Sequence, residues 1–364
     1  MALSCGLVGL PMVGKTTFFN LLTNADIETS TFYTGKTDAN INMAKVPDER
    51  IDFLSQMFQP KKTTYAQIQI IDIPGLVRGS STGKGTGNDF LSAVRDADAL
   101  VHILRAFENK EVLHVDNTLD MIRDLETVNM ELLFADLQLI ETRLSRINSG
   151  KKKKLENPLE ESTLLMIRDI LESEKPVSSI SFTEEEKDAI KHITFLTNKP
   201  MLIVINLDEN QFTTGCYPQK QQIHTYCRNH NMIALEICAQ VESEISQLDD
   251  EDKQAFMEDL GITEPGINRL AKAVYKMLGL ISFLTAGEDE VKAWTIQKGL
   301  PAKKAAGKIH SDIERGFIRA EIVSFNDLEA AKSIAKAREL GQFRLEGKDY
   351  IVQDGDIINF RFNV

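Results

Sequence analysis

Long apolar runs are missing from this 364-residue chain. Nothing in it approaches the roughly 18 consecutive apolar residues of a membrane-spanning helix, so no membrane partner is expected. Cysteine is scarce and scattered. Cys5, Cys216, Cys227 and Cys238 form no C-x-x-C pair, which argues against a zinc site and suits reduced thiols in a cytoplasmic protein. The first apolar run begins almost at once, so no signal peptide is expected. Basic residues are outnumbered, 42 against 54 acidic ones, and the net charge of −12 argues against nonspecific nucleic-acid binding by the surface as a whole. Two local basic clusters stand against that balance: Lys151 to Lys154, and Lys298, Lys303, Lys304 and Lys308. A charge run is usually a solvated tip or face. The second cluster is nonetheless expected to contribute to an RNA-facing surface.

What is present is the composition of a globular protein, 42% apolar and 26% charged, in a chain too long for one ordinary core. Near its start stands Gly9-Leu-Pro-Met-Val-Gly-Lys-Thr-Thr17, which matches the phosphate-binding pattern G-x-x-x-x-G-K-[ST]. Leu3 to Val8 before it reads as a buried strand and Thr16 to Leu22 after it as a helix, the context that the motif requires. Glycines turn backbone N–H groups toward phosphate oxygens, and the helix N-terminus adds favourable partial charge. Lys15 then reaches the β- and γ-phosphates and the Thr16 hydroxyl ligates Mg²⁺. Met12, Val13, Gly14 and Thr17 complete the cradle that Gly9 opens.

A second motif narrows the class. Asp72-Ile73-Pro74-Gly75 is a D-x-x-G at the end of a predicted strand, where Asp72 can hold Mg²⁺ and the Gly75 amide can contact the γ-phosphate. The stretch from Gly75 to Gly87 holds five glycines, too many for regular structure. Leu76 occupies the position at which Ras-type enzymes place a water-orienting glutamine. The third motif concerns the base. Guanine-specific enzymes use Asn-Lys-x-Asp, whereas this chain has Asn206-Leu207-Asp208-Glu209 after a buried strand. A correctly placed carboxylate selects guanine and repels adenine N1. Here Leu207 replaces the Lys stem and Glu209 is one methylene longer, so both effects are lost. Asn206 can alternatively be read as a strand-end cap.

Between these motifs the periodicity changes. From Thr118 to Ile147 apolar residues recur at helical spacing, with Asp116 or Asn117 as the candidate cap. Further helices are predicted over 161–174 and 183–196, the latter opened by a Thr-Glu-Glu-Glu capping pattern. This block separates Ala99–Leu104 from Met201–Asn206, two strands that should be neighbours in one sheet. Strands alternating with helices imply a doubly wound α/β sheet with its ligand at the carboxyl ends of the strands. Beyond Leu280 the pattern is that of a small α+β domain, with strands over 291–296 and 317–325, helices over 302–314 and 328–340, and two terminal strands around Asp354-Gly355. The expected organisation is a nucleotidase domain over 1–116 and 200–280, a helical coiled-coil insertion over 117–199, and the α+β domain over 281–364.

GLPMVGKTTFFN, DIPGLVRGSSTGKGTGNDFL, RAFEN, NLDEN, AWTIQKG, AAGKIHSD, Glu314-Arg315-Gly316-Phe317 and the terminal GKDYIVQDGDIINFRFNV together resemble the Obg-like ATPase (YchF) family, over essentially the whole chain. The resemblance implies ATP preferred over GTP, base and ribose contacts at Asn206 and Leu207, and a C-terminal β-grasp module of the TGS kind. It also implies a cytosolic, monomeric protein that associates with ribosomes, through the large subunit or its RNA, and is linked to stress responses. Two alternatives stand beside that reading: an Obg-type GTPase, and a ribosome- or RNA-binding adaptor whose nucleotide is hardly turned over. A loop histidine proposed as catalytic in the family carries onto His114, which a solvated loop position explains equally well. His102, in a predicted central strand, reads as a packed core residue. The chain departs from the family's pattern at Met12, usually Asn, at Thr16, usually Ser, and at Pro74, usually Ala. Its first switch is two residues longer; Thr34 follows the aromatic residue as the family's Thr does and is the chosen Mg²⁺ ligand beside Thr16 and Asp72, with Thr37 left open.

Overall fold

The computed structural model describes residues 3–27, 39–76, 87–109, 112, 114–116, 118–149 and 159–363. In chain order they form β1 (Ser4–Val8), α1 (Lys15–Thr23), β2 (Asn40–Lys45), α2 (Glu49–Phe58), β3 (Lys62–Thr64), β4 (Gln67–Asp72), α3 (Gly87–Asp96), β5 (Ala99–Arg105), α4 (Met121–Asn148), α5 (Leu159–Glu172) and α6 (Glu184–Ile190). Next come β6 (Met201–Asn206), α7 (Glu209–Thr214), α8 (Lys220–Asn229), β7 (Ala234–Ile237), α9 (Ala239–Gln247), α10 (Asp250–Asp259) and α11 (Gly266–Met277). The last are β8 (Leu280–Ala286), β9 (Glu290–Gln297), α12 (Ala302–Ile309), α13 (Ser311–Arg315), β10 (Phe317–Ser324), α14 (Phe325–Ala331), α15 (Ile334–Glu339), β11 (Arg344–Glu346) and β12 (Asp356–Phe362). The chain divides into two compact units, Met1–Asn42 with Gln69–Ile267, and Met43–Ile68 with Asn268–Val364.

The first unit is built on a sheet of order β2-β4-β1-β5-β6-β7, in which β4, β1, β5, β6 and β7 run parallel. Its central strands are buried along their length, as continuous apolar runs in a covered parallel sheet must be. Chain order reverses direction beside β1, and the carboxyl ends of β1, β4, β5 and β6 deliver Gly9, Asp72, Arg105 and Asn206 to one edge. As the apolar pattern implied, β5 and β6 are neighbours, Leu100 opposite Met201 through Arg105 opposite Asn206.

The intervening helices enclose a second cluster of this unit, Leu133, Ile140 and Leu144 on α4 against Leu164, Ile167 and Leu171 on α5, with Val177, Ile190 and Phe195. The cap of α4 is Asp120, which accepts from Arg123 N–H, rather than Asp116; Asn117 lies outside the described residues. The helix predicted over 183–196 keeps its capping box at Thr183 and Glu186 but stops at Ile190. The reason is a competing acceptor. Buried Asp136 takes the N–H groups of Leu196 and Thr197 at 2.8 and 2.9 Å, and Phe195 and Leu196 go into the core.

The second unit carries a mixed sheet of order β11-β10-β12-β8-β9-β3. Its centre pairs β12 parallel to β8, with β9 and β10 antiparallel on either side, and buried Ala302, Ala305 and Ala306 of α12 cover one face. That is a β-grasp arrangement. The unit is not contiguous in sequence: β3 pairs with β9, and Arg50 on α2 reaches Asp48 and, through both Nη atoms, Asp354. Strands β2, β3, β8 and β11 were not expected. Of the two terminal strands predicted, only β12 forms; before it, Ile351 makes one isolated bridge to Pro301 and Gly355 turns the chain at φ 84°.

Candidate functional site

The phosphate loop is shaped by three residues with positive φ, Gly9 (149°), Met12 (65°) and Gly14 (100°). Glycine is obligatory at two of them for space as well. A Cβ at Gly9 would lie 2.6 Å from the Ile103 carbonyl oxygen, and one at Gly14 2.6 Å from Asn206 Nδ2. The helix α1 begins at Lys15, and Phe18, Phe19 and Leu22 bury its apolar face. Lys15 is folded over the loop: Nζ donates to the carbonyls of Gly9 (3.2 Å) and Leu10 (2.7 Å). Burial lowers its pKa to about 8 against the opposing field of Asp72. The Thr16 hydroxyl donates to Asp72 Oδ2 at 2.9 Å, so the two predicted metal ligands already meet. Thr17 follows half-buried in the first turn. Thr34 and Thr37 lie outside the described residues.

At the D-x-x-G motif the Leu76 amide donates to the Gly9 carbonyl, and the Leu76 side chain is 1% exposed. It is packed inward, which leaves the water-orienting position without a polar group. Gly75 passes so close to Pro11 that a Cβ would stand 3.0 Å from its ring.

Asn206 acts as a clamp. Its Nδ2 donates to the Val13 carbonyl at 3.0 Å and its Oδ1 accepts from Ala239 N–H at 3.3 Å, tying the phosphate loop to the start of α9. The rest of the base motif is differently employed. Leu207 packs in a core cluster with Leu104, Ala106 and Met121, at 3% exposure. Asp208 caps α7 through Gln211, and Glu209 is exposed at the first turn. The Asp-x-x-Gln capping box was legible in the chain and was missed.

His114 is buried, with both ring nitrogens engaged: Nδ1 accepts from Asp116 N–H at 3.1 Å, and Nε2 lies 2.9 Å from Asp124 Oδ2. An accepting Nδ1 makes Nε2 the protonated atom, so the imidazole donates to a carboxylate that Arg123 also contacts. The solvated-loop alternative does not hold. His102 is fully buried in β5, and burial pulls its pKa down to about 3, which keeps it neutral.

Arg105 escaped sequence reasoning. This guanidinium ends β5 at 2% exposure and donates to four backbone carbonyls, of Met12, Phe107, Asn109 and Val112. It joins the phosphate loop to the segment leading to His114. The available signal was a cation closing an apolar strand.

Oxygen donors without a cage define the metal chemistry. Among the described residues no group of three His, Cys, Asp or Glu side chains could hold a metal. Thr16 and Asp72 fit Mg²⁺, which takes one or two protein oxygens beside substrate phosphates.

The phosphate loop, the D-x-x-G strand end and the Asn206 clamp on one edge of a parallel sheet define a P-loop nucleotidase of the GTPase type. A family profile described as "50S ribosome-binding GTPase" matches residues 4–135, and one described as "Protein of unknown function (DUF933)", YchF-GTPase_C, matches 280–363. The ribosome-binding ATPase YchF of Bacillus subtilis (strain 168) is 45% identical over 366 residues, and that of Escherichia coli O157:H7 41% over 367, each covering all of both chains. The solved YchF GTPase of Schizosaccharomyces pombe superposes with a TM-score of 0.85 at 31% identity, covering 99% of this chain and 98% of that one. The chain belongs to the YchF family, for which Obg-like is the coarser, neighbouring label.

Proposed function

We propose that this protein is a ribosome-associated P-loop ATPase that binds Mg-ATP and hydrolyses it slowly as a regulatory switch in translation or stress response. The observation that carries the choice of base is the fate of the third motif. Leu207 is committed to the core and Asp208 to a helix cap, so no carboxylate is fixed to accept from guanine or to repel adenine. Adenine is then no longer repelled, and the ATPase in the relatives' names supports it over guanine. The phosphates lie in the loop from Gly9 to Thr17 and against Gly75. Mg²⁺, when bound, supplies charge neutralisation at the phosphates, with Thr16, Asp72 and Thr34 as the residues that hold it. Lys15 exchanges two backbone carbonyls for phosphate oxygens.

His114 is the residue proposed to order the attacking water. It must first leave Asp124, so hydrolysis waits on a rearrangement of its loop, and a slow basal rate follows. The names of the relatives support the ribosome, and its large subunit, as the partner; that it contacts this protein through ribosomal RNA and drives that step belongs to the proposal. The protein is read as a cytoplasmic monomer whose C-terminal unit is a TGS module. Lys298, Lys303 and Lys308 are exposed there, as is Lys304, which pairs with Glu314. They remain the proposed RNA-facing group.

Side-by-side titration of ATP and GTP tests the base reading; GTP binding tenfold tighter than ATP makes the protein a GTPase instead, the description its Schizosaccharomyces pombe relative bears. Single-turnover hydrolysis with ribosomes tests the switch. The expected result is stimulation in the wild type and its loss in His114→Ala, whereas an unstimulated wild type favours an adaptor with a structural nucleotide.

A further inference from the structure

Away from the phosphate loop, basic side chains collect around one cavity in the first unit. It has a volume of about 570 Å³ and is lined by Arg95 at the end of α3, Arg143 and Arg146 on α4, and His192 just beyond α6. That volume is in the range of small-molecule sites. Arg143 and Arg146 stand on the same face of α4 as Ala135, Leu139 and Thr142, a spacing that lays a charged end and an apolar end along one helix. Ile193 adds to the apolar end.

One acidic group organises the basic ones. Glu160 on α5 is 2% exposed; it accepts from Arg143 Nε at 2.6 Å and stands 3.4 Å from His192 Nε2. A carboxylate bound at Nε fixes the plane of the guanidinium, which is the preorganisation a bidentate oxyanion contact needs. Buried Asp136 on α4 also faces Arg95 electrostatically, and these two carboxylates do not balance three arginines, so the cavity keeps an excess of positive charge in a chain whose net charge is −12. Planar guanidinium forks beside an apolar floor suit a ligand with a phosphate at one end and an uncharged, flat or apolar body at the other.

We propose that this cavity is a second ligand site, which takes a phosphorylated small molecule of nucleotide size. Its phosphate lies among Arg95, Arg143 and Arg146, and its body lies over Ala135, Leu139 and Ile193. None of the residues from Gly9 to Thr17 lines it. Occupancy rigidifies α4 against α3 and the chain beyond α6, the elements that together wall the cavity.

The test uses the full chain saturated with Mg²⁺ and a non-hydrolysable ATP analogue, so that the phosphate loop is filled. AMP and inorganic pyrophosphate are then titrated by calorimetry. The expected result is one further saturable event per chain, weakened at least tenfold in Arg146→Glu and in Arg95→Glu, with the affinity for the analogue unchanged. Both residues are exposed and neither contacts buried Glu160; Arg95 does face buried Asp136 electrostatically, so Arg95→Gln, which adds no charge beside that carboxylate, is measured with Arg95→Glu, and Arg143 is avoided because its loss strands Glu160. Absence of a saturable event overturns the proposal, as does binding equal in wild type and variants. Binding of a single-stranded RNA oligonucleotide that depends on Arg146, with neither small probe bound, also overturns it and makes the arginines a polymer-backbone contact.

Discussion

The two ends of the nucleotide site are built on opposite terms. The phosphate end is backbone, with a loop whose dihedrals only a few residues tolerate, two glycines without room for a Cβ, and one lysine and one hydroxyl held in place. The base end is side chains put to structural work: Asn206 as a clamp, Leu207 as core, Asp208 as a cap. A phosphate cradle so constrained has one use. A base motif whose members are engaged in folding is free to lose its ligand chemistry without losing the fold. Selectivity for the base is therefore the more easily altered property of this site, and phosphate binding the more conservative one.

The sharpest way to break that contrast is to restore the lysine of the guanine motif. Leu207→Lys places a charge in the core cluster and is expected to cost about 4 kcal/mol of stability by chemical denaturation, without producing a guanine preference. A stable, GTP-selective variant would mean that Leu207 faces the base after all. At the phosphate end Lys15→Ala leaves the fold in place but weakens ATP at least a hundredfold, about 2.7 kcal/mol, in equilibrium binding. Asn206→Ala strikes both ends, since Val13 O and Ala239 N each lose a partner. It should raise the ATP dissociation constant about 30-fold, near 2 kcal/mol, and lower the melting temperature as well.

The smallest effect is one of pH. Burial lowers the Lys15 pKa from 10.5 to about 8, and phosphate favours the charged form. Binding therefore takes up a proton above pH 8, and affinity declines as pH rises, by at most about tenfold per unit. For the ligand-free protein the sign is opposite. The cost of the buried ammonium is fully present below pH 8 and disappears as pH approaches 10.5, so this group makes stability rise across that window. Calorimetry in buffers of differing ionisation enthalpy reads the proton uptake directly; none above pH 8 would place Lys15 in a more polar setting.

Features set by local backbone chemistry were legible in the chain. Gly9, Gly14 and Lys15 announced strand, turn and helix, and the apolar runs at Leu100–Leu104 and Leu202–Ile205 announced adjacent buried strands. Features set by distant partners were not. Leu207 looked like a ligand residue because spacing aligns it with the motif, while its burial depends on Met121 and Ile223, far along the chain. The helix expected through Leu196 stops early because Asp136, on α4 far back in the chain, captures the amides of its expected last residue, Leu196, and of Thr197 just beyond. Strand β3 is three residues long and has meaning only beside β9.

One detail of the phosphate loop bears on heat tolerance. Met12 sits at φ 65°, a conformation in which Asn and Gly are at ease and an unbranched apolar residue is not. An Asn at this position, which the resemblance in the sequence leads one to expect, would have a conformational rationale that owes nothing to any bound ion. Met12→Asn and Met12→Gly should each relieve on the order of 1 kcal/mol of misfit. The same residue whose backbone carbonyl Arg105 holds is thus one at which the loop's strain can be lowered by a single side-chain change, read as a rise in melting temperature.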